Sequence, residues 1–163
     1  MLNAKLSILT DPHPLLRQRS TEVDTKTIAT PAFKKFVDAL TKAMFEYEGV
    51  GIAAPQIGKP WRVFIVNTKD GPQTMINPEI ISKSWRKEWD EEGCLSVPGK
   101  FGLVKRAKSL KLRALDVNGQ TITLKAKGFF ARVVQHEIDH LNGVLFIDKA
   151  KNISPVNNHG VKV

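Results

Sequence analysis

Apolar residues recur along two stretches of this chain at the three- and four-residue spacing of an amphipathic helix. The first carries Phe33, Phe36, Val37, Leu40 and Met44, behind Thr30 as a cap and Pro31 suited to a first turn, with Gly49 as its stop. The second carries Phe130, Val133, Val134, Ile138 and Leu141, which predicts a helix from about Phe129 to Leu141 ended by Asn142-Gly143. Between them the period changes to that of strands. WRVFIVNT, residues 61–68, is a dense apolar run. SLKLRALDVNGQTITLKA, residues 109–126, alternates on either side of Asn118-Gly119, a dipeptide that tolerates a tight hairpin turn. DPHPLLRQRS at 11–20 predicts a turn and a short helical segment. VGIAAPQIGKP at 50–60 holds too much Gly and Pro for a regular element and predicts a shaped loop or an irregular edge strand. Two helices among antiparallel strands place the chain in the α+β class.

With 163 residues, 42% of them hydrophobic, the chain can bury a core without disulfides. The expected organisation is a single domain over 1–148 and a polar tail over 149–163, where Pro155 and Gly160 favour an exposed or fraying end. The lone Cys94 excludes an internal disulfide framework. The apolar windows are short and broken by charge, so neither a membrane span nor a secretory signal is expected, and a reducing, cytosol-like compartment follows.

A formal charge of +9, from 25 Lys and Arg against 16 Asp and Glu, suits a protein working near polyanions such as ribosomal RNA. Lys105, Arg106, Lys108, Lys111 and Arg113, however, fall where strands show a solvated face, with no aromatic residues among them to make a stacking platform. Sequence-specific nucleic-acid binding is therefore not expected. Trp61, Trp85 and Trp89 read as strand and core residues.

Chemistry enters with QHEIDHLNG at 135–143. His136 and His140 lie about one helical turn apart, so both imidazoles leave the same helix face within reach of one ion, with Glu137 beside them. The pattern His136-Glu137-x-x-His140 is that of a divalent metal site whose carboxylate accepts a proton from the attacking water. The fold expectation sharpens accordingly to antiparallel strands packed around a central metal-binding helix, with a second helix near the N-terminus. Two core histidines satisfied by hydrogen bonds are the bland alternative.

A catalytic site needs a third ligand, and no Glu follows Glu137. The extended protease pattern matches at Gly143, but its last His position is Phe146. Upstream, DEEGCLSVPGK offers Cys94 in a loop-like context. Two imidazoles and one thiolate leave a fourth tetrahedral position open, as in catalytic rather than structural sites. A small buried hydrophobe is the alternative reading of Cys94. Asp139, off the ligand face, can pair with a buried cation, for which Arg106 is the candidate.

Three segments, GVGIAAPQIG at 49–58, EGCLSVPG at 92–99 and QHEIDHLNG at 135–143, together resemble the three motifs of peptide deformylases, in that order. ILTDPHPLLRQRS and LKLRALDVNGQ extend the resemblance over most of residues 6–148. It implies removal of the formyl group from the N-terminal formyl-methionine of nascent peptides, with release of formate. Cys94, His136 and His140 would be the metal ligands and Glu137 the general base or acid. The Gln56 side-chain amide and the Leu95 backbone N–H would donate to the formyl oxygen, where hydrolysis builds an oxyanion. Gly51 and its small neighbours would let a peptide add as an extra strand. Val50, Phe129, Val133 and the His136 ring would line the methionine pocket, although Phe129 and Val133 also read as ordinary core residues.

The resemblance further implies ferrous iron, Fe2+, as the physiological ion, with Zn2+, Ni2+ or Co2+ able to substitute; thiolate and imidazole by themselves would put zinc first. Many bacterial members continue into a basic C-terminal helix. Here 23 residues follow His140, so a short form lacking that helix is expected, of a phage or organellar lineage as readily as a bacterial one. The implied location is the cytoplasm of a bacterium or phage-infected host, with an organelle also open, and ribosome proximity stays open with it. Two rivals remain: a zinc endopeptidase, and an RNA- or ribosome-associated module whose structural metal is closed by His13 or His159.

Overall fold

The structure is a computed structural model describing residues 6–155. A 3-10 turn at Pro14–Arg17 and the short helix α1 (Thr25–Ile28) precede helix α2 (Pro31–Glu46). Strand β1 (Gly51–Ala53) runs into a second 3-10 turn, Ala54–Ile57, before strands β2 (Val63–Thr68) and β3 (Gly71–Lys83). Then come β4 (Lys87–Cys94), β5 (Val97–Ala107), β6 (Ser109–Leu115) and β7 (Thr121–Lys127). Helix α3 (Gly128–Leu141), a third 3-10 turn (Phe146–Asp148) and strand β8 (Lys151–Ser154) complete it. The strands form two antiparallel sheets, β1-β2-β3-β6-β7 and β4-β5-β8.

The large sheet carries a helix on each face, which explains why β2 is apolar at successive positions rather than alternate ones. Phe64 and Val66 face Val133, Val134, Ile138 and Leu141 of α3, whereas Val63 and Ile65 join Phe33, Val37, Leu40 and Met44 of α2 on the opposite side. Each such side chain contributes about 1.5–3 kcal/mol when fully buried. Because α3 also packs against β5 of the small sheet, nearly every residue from Ala131 to Leu141 is enclosed, polar ones included. The central helix, the second helix near the N-terminus and the α+β class are as the sequence predicts.

Local signals operate as expected at several ends. Thr30 Oγ1 accepts from the Phe33 N–H at 3.2 Å, capping α2 over Pro31. Gly143, at φ 74°, closes α3, and a β-carbon there would stand 2.5 Å from the Arg17 carbonyl oxygen. Between β6 and β7 the turn is wider than a two-residue hairpin. Asp116 Oδ1 accepts from the N–H groups of Asn118 and Gln120, and only Gly119 takes a positive φ.

Other expectations are corrected. Helix α2 stops at Glu46 rather than Gly49, with Glu48 taking the left-handed conformation at φ 56°. Cys94 is not in a loop but ends β4, opposite Val97, just after a register shift at Gly93. Glycine is required there because a β-carbon would meet the Phe101 ring at 2.7 Å. Trp61 packs against Phe33 and Phe36, but Trp85 is 84% exposed and Trp89 43%, so neither is a core residue. Of the cations expected on a solvated face, Lys105, Lys108, Lys111 and Arg113 are exposed and Arg106 is buried. The expected tail begins with β8, where Lys151 and Ser154 pair with Leu103 and Phe101 along an otherwise open edge of β5. Residues 156–163, including His159 and Gly160, lie outside the described residues.

Candidate metal centre

Helix α3 and the end of β4 bring Cys94, His136 and His140 together, all buried, with one ligand atom from each within 4.8 Å of the others. Cys94 Sγ lies 3.2 Å from His140 Nε2, and the two imidazoles, one turn apart, stand edge to face at 4.9 Å between centroids. No other His, Cys, Asp or Glu among the described residues joins this group, and His13 instead accepts a hydrogen bond from the Leu15 N–H at an exposed turn. Two nitrogens and a thiolate, with no fourth protein ligand among the described residues, are the donor set of an open site.

The His136 orientation is set by a buried carboxylate, Glu92. Glu92, fully buried, places Oε2 3.0 Å from His136 Nδ1, leaving Nε2 of that ring for the centre. Arg106 donates to both oxygens of Glu92, at 2.8 and 2.9 Å, and Arg132 donates to Oε1 at 2.9 Å. Burial would raise the Glu92 carboxyl, but the hydrogen bonds from Arg106 and His136 hold it well below the usual carboxylate range. Arg106 also reaches Asp139 at 2.5 Å, the pairing expected for that residue, and Lys149 contacts the same carboxylate at 2.7 Å. Glu92 stands two residues before Cys94 on β4, across the register shift at Gly93.

Glu137 lies between the ligands with Oε2 buried and without a protein partner. His140 Nδ1 is also buried and unpartnered. Burial pushes the Glu137 carboxyl up to about 7; His136 and Arg106 pull it down and Glu92 pushes it up. A buried carboxylate oxygen with nothing to bond, on the residue next to His136, fits a metal ion held by Cys94, His136 and His140 and the water it would hold. Gly51 on β1 is forced by this arrangement, since a β-carbon there would stand 2.6 Å from Glu137 Oε1 and 3.0 Å from Val133 Cγ1.

Gln56, 2% exposed, sits on the 3-10 turn after β1. Its Oε1 accepts from the Ala53 N–H at 2.8 Å, which turns Nε2 toward Ser96 Oγ at 3.2 Å and Cys94 Sγ at 3.8 Å. Leu95, half-buried, makes the turn between β4 and β5 beside Cys94, whose sulfur also accepts from the Ser96 N–H at 3.4 Å. Ser96 went unnoticed in the sequence. A cleft of about 350 Å³ opens on the sulfur side, lined by Ile8, Tyr47, Cys94, Leu95 and Phe101 among others. Of the expected pocket residues, Val133 is buried, Val50 is half-buried against the α3 core, and Phe129 is 46% exposed. Phe129, Val133 and Glu137 follow one another at four-residue steps along one line of α3.

The polypeptide deformylase family model matches residues 5–156. Peptide deformylase 1 of Clostridium perfringens is 48% identical over 136 residues, covering 82% of this chain and 90% of that protein. The crystal structure of the peptide deformylase of Thermotoga maritima superposes with a TM-score of 0.84 at 38% identity, covering 90% of this chain and 97% of the other. A class I type b peptide deformylase of Acinetobacter baumannii with Met-Ala-Ser bound does so with a TM-score of 0.85 at 36% identity, covering 88% and 97%. This chain therefore belongs to the polypeptide deformylase family, metal-dependent hydrolases that remove the formyl group from nascent peptides.

Proposed function

We propose that Cys94, His136 and His140 hold the ion for deformylation and that Glu137 carries the proton. The observation behind this reading is the convergence of the Cys94, His136 and His140 ligand atoms, together with a buried, unpartnered Oε2 on Glu137, the residue next to His136. A divalent ion bound there supplies Lewis-acid activation of water. Glu137 takes a proton from that water as its oxygen adds to the formyl carbon, then delivers it to the departing amine nitrogen as the C–N bond breaks. Formate and a free N-terminal amine result. Gln56 Nε2 and the Leu95 N–H donate to the formyl oxygen as it gains charge; a preorganised donor of this kind is worth roughly 3 kcal/mol in the barrier.

The peptide itself pairs with β1, an edge strand bonded on one side only to β2, near Gly51. Val50, Phe129, Val133 and the His136 ring receive the methionine side chain. The Acinetobacter baumannii structure with Met-Ala-Ser supports a short methionine-led peptide as occupant. Fe2+ is the proposed physiological ion, with Zn2+, Ni2+ and Co2+ as substitutes, all compatible with thiolate and imidazole ligands. No helix among the described residues is long and apolar enough to cross a membrane. A reduced thiolate ligand suits the cytoplasm of a bacterium or phage-infected host, or an organelle, close to the ribosomes that supply formylated chains.

The test is formate release from formyl-Met-Ala-Ser, with Met-Ala-Ser as control, by enzyme stripped with a chelator and reloaded with each ion. Activity should vanish on stripping and return on reloading, fastest with Fe2+. Cleavage of an internal peptide bond, or full activity after stripping, would overturn the reading.

A further inference from the structure

The surface of the small sheet is basic and aromatic at once, although the linear sequence separates its parts. Trp89 on β4 lies opposite Lys105 on β5, and Lys151 on β8 completes the neighbourhood. The two ammonium groups stand 5.8 and 4.9 Å from the centroid of the Trp89 indole. At the bend that feeds β4, Trp85 is 84% exposed, with the Arg86 guanidinium 5.4 Å from its ring. A cleft of about 410 Å³ lined in part by Lys83, Lys87 and Lys105 joins the bend to the sheet. Among the described residues Lys83, Arg86, Lys87, Lys105 and Lys151 have no carboxylate within ion-pair distance. Acids of β4 are engaged elsewhere: Lys108 pairs with Glu88, and Glu92 is buried in its own network.

We propose that this face, centred on Trp89 and extended by Trp85, binds single-stranded RNA, with bases stacking on the two indoles and the surrounding cations meeting the phosphates. Its chemistry is that of sequence-tolerant single-strand recognition, a cationic track interrupted by exposed π faces. In the absence of ligand the lysines rest on the indole; a stacked base takes the ring and frees them for the backbone. An anionic membrane is the less suitable polyanion, because only Trp85 stands at a bend, whereas Trp89, the centre of the face, lies within the sheet. Trp89 is five residues before Cys94 on the same strand, about 17 Å at strand rise, so a bound RNA strand would lie beside the reactive centre without filling it.

The test is fluorescence anisotropy of a labelled, mixed-sequence RNA of about 12 nucleotides with the metal-loaded enzyme, between about 50 and 200 mM salt. With four phosphates neutralised, affinity should fall roughly 50-fold over that range. Trp89→Ala should weaken binding about tenfold or more through lost stacking. The double substitution Lys105→Glu with Lys151→Glu should flatten the salt dependence and guards against a folding defect in the tryptophan variant. Both variants should deformylate a short free peptide within about twofold of the parent. No binding at the low salt, binding indifferent to Trp89→Ala and matched by inorganic polyphosphate, or tighter binding to phosphatidylserine vesicles than to RNA would each overturn the proposal.

Discussion

Glu92 Oε2 lies 3.0 Å from His136 Nδ1, inside a cage formed with Arg106 and Arg132. One carboxylate thus orients a candidate metal ligand and bonds two buried cations, one of which also pairs with Asp139. Glu92→Ala removes both functions. The variant should lose about 3–5 kcal/mol of stability, because it leaves Arg132 buried without a carboxylate and Arg106 with Asp139 alone, and 10–100-fold in metal affinity. Denaturant unfolding and metal titration check the two effects separately. A variant as stable as the parent would remove Glu92 from this role.

Gly51 is held to hydrogen in place of a side chain by Glu137 Oε1 and Val133 Cγ1. Gly51→Ala must displace one or the other. Activity should fall on the order of 100-fold, the cost of misplacing a reacting group by about an ångström, while metal content is retained. Initial rates and elemental analysis decide it, and a near-normal rate would show that the strand yields freely.

Gln56 is oriented chiefly by the Ala53 N–H and Ser96 Oγ, with Cys94 Sγ a longer contact at 3.8 Å. Gln56→Ala should therefore leave the ion bound and reduce kcat about 100-fold, the loss of one oxyanion donor. If KM rises alone, Gln56 binds substrate uniformly and does not act on the oxyanion.

Cys94, though 6% exposed, lines the cleft, which gives peroxide a route to it. Inactivation by air or peroxide should be fastest with iron and should be accompanied by oxygen added to Cys94, detectable by mass spectrometry. Inactive protein with an unmodified Cys94 and a still-ferrous centre would count against the ligand assignment.

Helix α2, helix α3 and the β6–β7 pair were legible because their apolar periods are strong and their caps stand at the expected offsets. The histidine pair was legible for the same reason, its four-residue spacing being the helix period itself. Glu92 was not, since a single acidic residue in DEEGC looks like surface charge until α3 and β5 close over it with Arg132 and Arg106. Arg106 was counted with its exposed neighbours, yet alternation along β5 turns it inward while Lys105 remains outside. The strand at 151–154 gave no signal because its pairing is supplied by the edge of β5, a tertiary effect that local propensity does not record. Trp89 read as core for the opposite reason: an aromatic residue on a strand signals burial only when that strand face has a partner.

The central claim is that Glu137 transfers the proton at a site whose ligands are complete without it. Glu137→Gln tests it most directly, since the amide preserves size but cannot take a proton. Bound metal and formate release from formyl-Met-Ala-Ser, measured on the same preparation, should give an unchanged metal content and a rate reduced by at least about 100-fold. A variant that keeps both its ion and a near-full rate would contradict the account.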